Sequence, residues 1–287
     1  MAGPEAHDPL RWQEQDGADD VDPLPAGLDT ATPSTARVYD AYLGGHHNNR
    51  ADRDFAERVR SMFPNSVSNA GENRKALLRG VRWAAGQGPL QVIDLGAGVP
   101  TRGSIHEAAR GVDPAARVVY VDYEAVAYHA IEDSIAGDPG LGVLRADARD
   151  VDAVLGDDVT TGLIDLTRPV VLVMGALLHF VSGEPDPARA LLTAYRKAVA
   201  PGSFLVLTHG TAEVGQEADM RNLARMYWED LKIQVAYRGR DEIARILRGY
   251  TLMAPGIVPV PLLLPDPEDP FEGDPWQSLM YAAIART

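Results

Sequence analysis

Gln91-Val92-Ile93-Asp94-Leu95-Gly96-Ala97-Gly98-Val99-Pro100-Thr101 is the stretch on which the reading of this chain turns. Val92 and Ile93 form a short apolar run, Asp94 ends it, and two glycines follow at once. Arg102 then leads into Ser104-Ile105-His106-Glu107-Ala108-Ala109, which has the composition of a helix start. A buried strand, a glycine turn and a helix N-terminus form the entry to a nucleotide-type pocket in an open α/β sheet. Glycines let the backbone turn tightly and let a ligand approach where a Cβ would block it. Free N–H groups at the start of the helix can meet a carboxylate or a phosphate.

A second apolar run, Arg117-Val118-Val119-Tyr120-Val121, ends in Asp122. An acidic residue at the end of the second strand is where a ribose diol is held in dinucleotide sites. The dinucleotide fingerprint wants a third glycine three places after Gly98, where this chain has Thr101 preceded by Pro100. No G-x-x-x-x-G-K-[ST] segment is present, so a phosphate-cradling loop of that type is excluded. The segment resembles motif I, D/E-x-G-x-G, of class I S-adenosylmethionine-dependent methyltransferases, carried by Asp94, Gly96 and Gly98.

Outward from this stretch, strand and helix patterns alternate. Predicted strands cover 91–95, 117–121, 141–145, 169–174 and 203–208, with helices over 104–110, 125–136, a short one to about 155, and 186–199. Repeated β-then-α units imply a parallel sheet with helices on both faces. Residues 213–235 read as an added helix with Met220, Leu223, Met226, Tyr227 and Leu231 as its apolar stripe, and 241–248 as another. Residues 250–260 and 278–285 are strand-like and could close the sheet, with a proline-rich acidic loop at 265–276 between them. Upstream, helices are expected from 36 to 43, from Asp52 to Phe63, and from Ser66 to Ala85. Three parts follow: an acidic tail at 1–33 expected to be disordered, a helical lid at 34–88, and the main domain at 89–287 with the insertion at 213–235.

Charge is unevenly placed. The 287 residues carry a net charge of −14, of which residues 1–33 and 266–274 account for −12. The body is therefore near neutral and shows no basic stripe, which argues against a nucleic-acid partner. There is no cysteine, so disulfides, thiolate catalysis and cysteine metal sites are excluded. No apolar run approaches the roughly 18 residues of a membrane span, and residues 1–20 lack the pattern of a secretory leader. A cytoplasmic location without membrane partners is expected, and homo-oligomerisation stays open.

Seven strands in this order resemble the class I methyltransferase sheet, a Rossmann-like α/β fold whose last strand is antiparallel. More narrowly, Arg37, Tyr39, Asp40, Leu43, Gly44, Gly45, Asn48, Asp52 and Arg53 match the pattern R-x-Y-D-x-x-L-G-G-x-x-N-x-x-x-D-R. A poorly characterised family of S-adenosylmethionine-dependent methyltransferases carries that pattern in an N-terminal helix. His46 and His47 stand where that family commonly has a basic-acidic pair. Adjacent histidines point apart on a regular element, and no acid has ligand spacing to them, so no metal site is expected.

The resemblance implies S-adenosyl-L-methionine as cofactor and a small-molecule methyl acceptor. The turn from Gly96 through Gly98 to Thr101 would meet the cofactor carboxylate and Asp122 its ribose. Asp147-Ala148 resembles the position that caps the adenine N6; Asp147 could equally be the N-cap of the next short helix. Arg37, Asp94 and Gly175 complete the candidate cofactor residues. The donor methyl should face the loop after the fourth strand, where ligands of open sheets sit. His179 there, in Leu178-His179-Phe180, is a candidate proton acceptor, and His209 is a second on the same rim. Tyr39 could face the sulfonium as a cation–π partner or bond the acceptor. Each of these three has a plain structural role as competitor. Two other functions remain open at this point: cofactor binding without methyl transfer, and a nicotinamide-linked oxidoreductase, which Pro100-Thr101 disfavours.

Overall fold

The computed structural model describes residues 29–88, 90–101, 103–183, 186–213 and 217–287. The expectation of disorder at 1–33 lies almost entirely outside them. Three helices come first: α1 (Thr35–Tyr42), α2 (Arg50–Met62) and α3 (Ser66–Ala85). Ser34 caps α1 and Asn49 caps α2, where Asp52 is the third residue of a capping box rather than the first of the helix. The alternating part follows as β1 (Gln91–Leu95), α4 (Ile105–Arg110), β2 (Arg117–Asp122), α5 (Ala125–Ser134), β3 (Leu141–Arg145), α6 (Val151–Gly156) and α7 (Asp158–Leu163). It continues as β4 (Val171–Met174), α8 (Pro187–Ala198) and β5 (Phe204–Gly210). Last come α9 (Glu217–Met226), α10 (Arg240–Ile246), β6 (Thr251–Leu252), β7 (Val258–Pro259) and β8 (Met280–Arg286).

The sheet runs β3-β2-β1-β4-β5-β8-β6, with β7 also on β8. Strands β1 to β5 are parallel, and β8 is antiparallel to β5, β6 and β7. Eight strands replace the seven expected, because 250–260 supplies two strands of two residues each, not one long one. Strand alternation divides the core into two layers. Ile93, Leu95, Leu172, Met174, Leu205 and Leu207 pack towards α6, α8 and α10. Val92, Val118, Val171, Val173 and Val206 pack on the other face, under α3, α4 and α5. Asp94 and Tyr120 share the parity of this second face.

Helix α3 belongs to the sheet rather than to a lid. A Cβ on Gly80 would come within 2.7 Å of Val206, and one on Gly175 would overlap Leu77. The expected boundary at 88/89 thus cuts through a packed layer. What covers the carboxyl ends of the strands is narrower. Val38 and Ala41 of α1 and Phe55, Ala56 and Val59 of α2 form one cluster with Met220, Leu223 and Met226 of α9. The added helix is shorter than 213–235: it widens into a π turn at Tyr227–Leu231 and ends at Lys232, in the left-handed region.

Candidate functional site

Leu95 and the turn after it sit on β2. Val121 O accepts the N–H groups of Gly96 (2.8 Å) and Ala97 (3.1 Å), and Asp122 Oδ2 accepts that of Gly98 (2.8 Å). Gly96 and Gly98 have φ of +69° and +66°, which is why glycine stands at both. Around Gly98 a Cβ would meet nothing within 4 Å, so the turn opens to a ligand there. The amides of residues 96–98 are already committed, so any carboxylate contact falls to the far side of the turn. Ser104 caps α4 in a capping box with Glu107.

Asp122 is buried and raised to about 6, by desolvation first, against the N–H groups of Glu124 and Gly98. Each of its oxygens accepts one N–H in the structure, which leaves each a second lone pair for a hydroxyl donor. Asp94 is raised further, to about 7, by burial; Arg74 opposes the shift and Asp122 adds to it. A small cavity behind the turn is lined by Arg74, Asp94, Gly98, Ser104, His106 and Tyr120. Asn73, next to Arg74 on α3, gives its Nδ2 to Tyr39 (2.7 Å), while its buried Oδ1 has no partner. Neither Asn73 nor Arg74 was singled out from sequence; Asn73 is buried, while Arg74 is half-buried with Nε and Nη2 on Gly103 O.

Other expected residues are occupied elsewhere. Arg37 is buried, with Nε on Asp52 (2.7 Å) and Nη2 on Thr32 O (2.7 Å), so it braces α1 against α2 rather than reaching a cofactor. The hydroxyl of Tyr39 donates to Ala70 O (3.0 Å) and accepts from Asn73, tying α1 to α3. Asp40 accepts from Thr101 Oγ1 (2.5 Å) and from Asn48 Nδ2 (2.8 Å). A Cβ on Gly45 would overlap that Asp40 carboxylate. The N-terminal pattern is therefore a network that fastens α1 to the glycine turn. Asp147 binds Arg149 through both oxygens and lines a groove beside α8 with Arg149, Asp150 and Lys197; the main-chain N–H of Ala146, just before it, bonds Asp122 O (3.1 Å). The N-cap of α6 is Asp150, not Asp147. Ala148 is buried, and its carbonyl accepts from Tyr195 (2.7 Å).

The two histidines differ from expectation in a definite way. Strand β5 runs to Gly210, so His209 lies inside it and is fully buried. Its Nδ1 donates to Gly210 O (2.7 Å), and its Nε2 accepts from Arg238 Nη1 (2.9 Å). Burial pushes it down to about 4, so it is neutral with both nitrogens in use. Arg238 spends its other N–H groups on Asp186, Leu178 O and Val181 O. All five donors are thus placed, and the turn 178–180 is locked between β5 and α8. His179 is also buried and held well below the usual histidine range by desolvation, then by His209 and Arg238. Its Nδ1 accepts from Gly210 N (3.3 Å), which puts the proton on Nε2. A ring arranged this way is a poor proton acceptor at Nε2.

The comparisons with known proteins bear on the whole chain. A family model described as S-adenosyl methyltransferase matches residues 22–287. The chain belongs to that family. This methyltransferase takes S-adenosylmethionine as its methyl donor, which removes both the nicotinamide reading and binding without transfer. It is 40% identical to a candidate methyltransferase from Thermobifida fusca, over 92% of this chain and 98% of that one, with a TM-score of 0.84. It is 30% identical to a DUF574 family protein from Streptomyces avermitilis, over 90% of this chain and 99% of that one, with a TM-score of 0.85. No curated protein matches the methyltransferase. Among the described residues no helix is long and apolar enough to cross a membrane.

Proposed function

We propose that the methyltransferase methylates a small-molecule acceptor held under α1, α2 and α9, beside the turn 178–180. The observation that supports this reading is the apolar cover over the strand ends. Phe55, Tyr227 and Phe180 meet there, with ring centroids 5.2 and 5.7 Å apart in successive pairs. Such a cover excludes water and leaves little room for a folded macromolecule. S-adenosylmethionine, when bound, supplies a methyl group already activated by its sulfonium.

The residues present fit that donor. Asp122 would hold the ribose hydroxyls, and the open side of Gly98 admits the adenosyl group. The unpartnered Oδ1 of Asn73 suits the donor's ammonium, and Arg74 suits its carboxylate. Leu177 lies against Gly96, where a Cβ would be 2.8 Å away, so the acceptor side and the donor side adjoin. The protein's task is then to align an acceptor atom with the methyl at about 3–3.5 Å and keep water out. The acceptor's proton leaves without help from His209, whose nitrogens are both occupied.

Calorimetry with S-adenosylhomocysteine tests the donor site. Asp122→Asn and Asn73→Ala are each expected to weaken binding about tenfold or more. Wild-type affinity in either variant removes that residue from the site. Product release with candidate acceptors tests the rest; transfer to a protein or nucleic acid and to no small molecule overturns it.

A further inference from the structure

Three phenol rings pack against the apolar cluster of the cover, and one of their hydroxyls is buried without a partner. The Tyr42 hydroxyl, from α1, is buried with no partner. Tyr227, in the π turn, and Tyr237, in the segment that leads to Arg238, are half-buried, and neither hydroxyl is among the buried polar atoms left unpaired. Ring contacts join two of them to one patch: Tyr227 meets Phe180, and Phe180 and Tyr237 both meet His179. Buried polar groups are rarely left unpaired, and one that is calls for a missing partner. The Tyr42 hydroxyl calls for one.

The walls say what kind of partner. Tyr227 meets Phe55 edge-on at 5.2 Å and Phe180 at 5.7 Å. Tyr237 lies nearly parallel to His179, at 6.2 Å and 16°. Among the described residues no charged side chain contributes to the environment of any of the three phenols. An ionic ligand would be buried there without a counter-charge, at high cost. Flat aromatic surface and uncharged phenols suit a flat, uncharged molecule with oxygen or nitrogen acceptors on its rim. The region abuts the turn 178–180, where the acceptor sits in the reading above.

We propose that Tyr42, Tyr227 and Tyr237 form the acceptor subsite, and that the acceptor is a neutral planar aromatic or heteroaromatic molecule bearing hydrogen-bond acceptors. This rests on the methyl-transfer site lying under the cover, and it narrows the acceptor to one chemical class.

Saturation-transfer NMR on the full chain with S-adenosylhomocysteine present gives the test. One set of probes holds naphthols, hydroxycoumarins and hydroxyquinolines; the others hold alkylamines and aromatic carboxylates. Neutral aromatics are expected to bind, the other two sets not. Affinity should fall at least fivefold in Tyr42→Phe and in Tyr237→Phe. Tyr42→Phe should melt within about 2 °C of wild type or above it, because it loses a hydroxyl with no partner to leave behind. Both variants should also bind S-adenosylhomocysteine as wild type does, which separates this inference from the donor-site reading. Preferred binding of amines or carboxylates, no binding of neutral aromatics, or equal affinity in both phenylalanine variants overturns it. Loss of S-adenosylhomocysteine binding by the wild type overturns the donor site instead.

Discussion

At the scale of single residues, His209 shows how a side chain with catalytic chemistry can serve only to hold another. It stands on the strand whose end faces the site, yet both ring nitrogens are consumed by Gly210 O and Arg238. Removing it by His209→Ala leaves a buried guanidinium N–H unpaired and opens a void, which should cost about 3–5 kcal/mol of stability. His209→Gln can return an acceptor to Arg238 and should recover part of that. The pH dependence follows from the fall of its pKa from 6.5 to about 4. The unfolded chain takes up the proton first, so this residue's contribution is complete above pH 6.5. It declines as the pH drops towards 4, by up to about 3 kcal/mol. Denaturant melts of wild type and the Gln variant between pH 4 and 8 check this: the two curves should converge towards pH 4.

Elements were largely legible, and the exceptions have physical causes. Helix α3 was readable to both ends, and β1 likewise, because apolar spacing and breakers agree there. Helix α7, in contrast, is built from Asp158-Val159-Thr160-Thr161-Gly162-Leu163, poor helix formers that an Asp157 cap and burial of Thr160 hold in place. Strand β5 runs two residues past its expected end at 208, where Thr208 bonds Ala176 N and His209 bonds Arg238. Those partners lie about 30 residues away in sequence, beyond any local pattern. The glycine turn and Asp122 were visible from sequence; Asn73 and Arg74 were not, since their place beside the turn depends on how α3 crosses the sheet. The grip of α1 on that turn can be measured. Thr101→Val deletes the bond to Asp40 and should lower stability by about 1 kcal/mol. Gly45→Ala forces Asp40 itself aside and should cost more. If α1 helps to set the turn, both variants should also bind S-adenosylhomocysteine several-fold more weakly; full affinity with reduced melting temperature would confine the contact to a structural role.

Across the whole molecule, one carboxylate of β1 is held at the expense of stability. Asp94 sits on the α3 side of the sheet, beneath a turn that needs two left-handed glycines, and burial raises it from 3.8 to about 7. A folded state that binds its proton more tightly than the unfolded chain is favoured by Asp94 below pH 3.8. That advantage is lost progressively as the pH rises through 7. Asp94→Asn has no such titration. Its stability relative to wild type should therefore climb by about 4 kcal/mol between pH 4 and pH 8 and change little beyond. This trend opposes that of His209, so the wild-type profile near pH 5–6 should be flatter than either contribution alone. If the carboxylate serves the donor, Asp94→Asn should gain stability while losing affinity for S-adenosylhomocysteine. Thermal melts across the pH range, paired with calorimetry at pH 7.5, decide the matter. A gap between the two proteins that stays constant from pH 4 to 8 would mean that Asp94 does not titrate there. A variant that binds S-adenosylhomocysteine as tightly as wild type would mean that the buried charge serves something other than the donor.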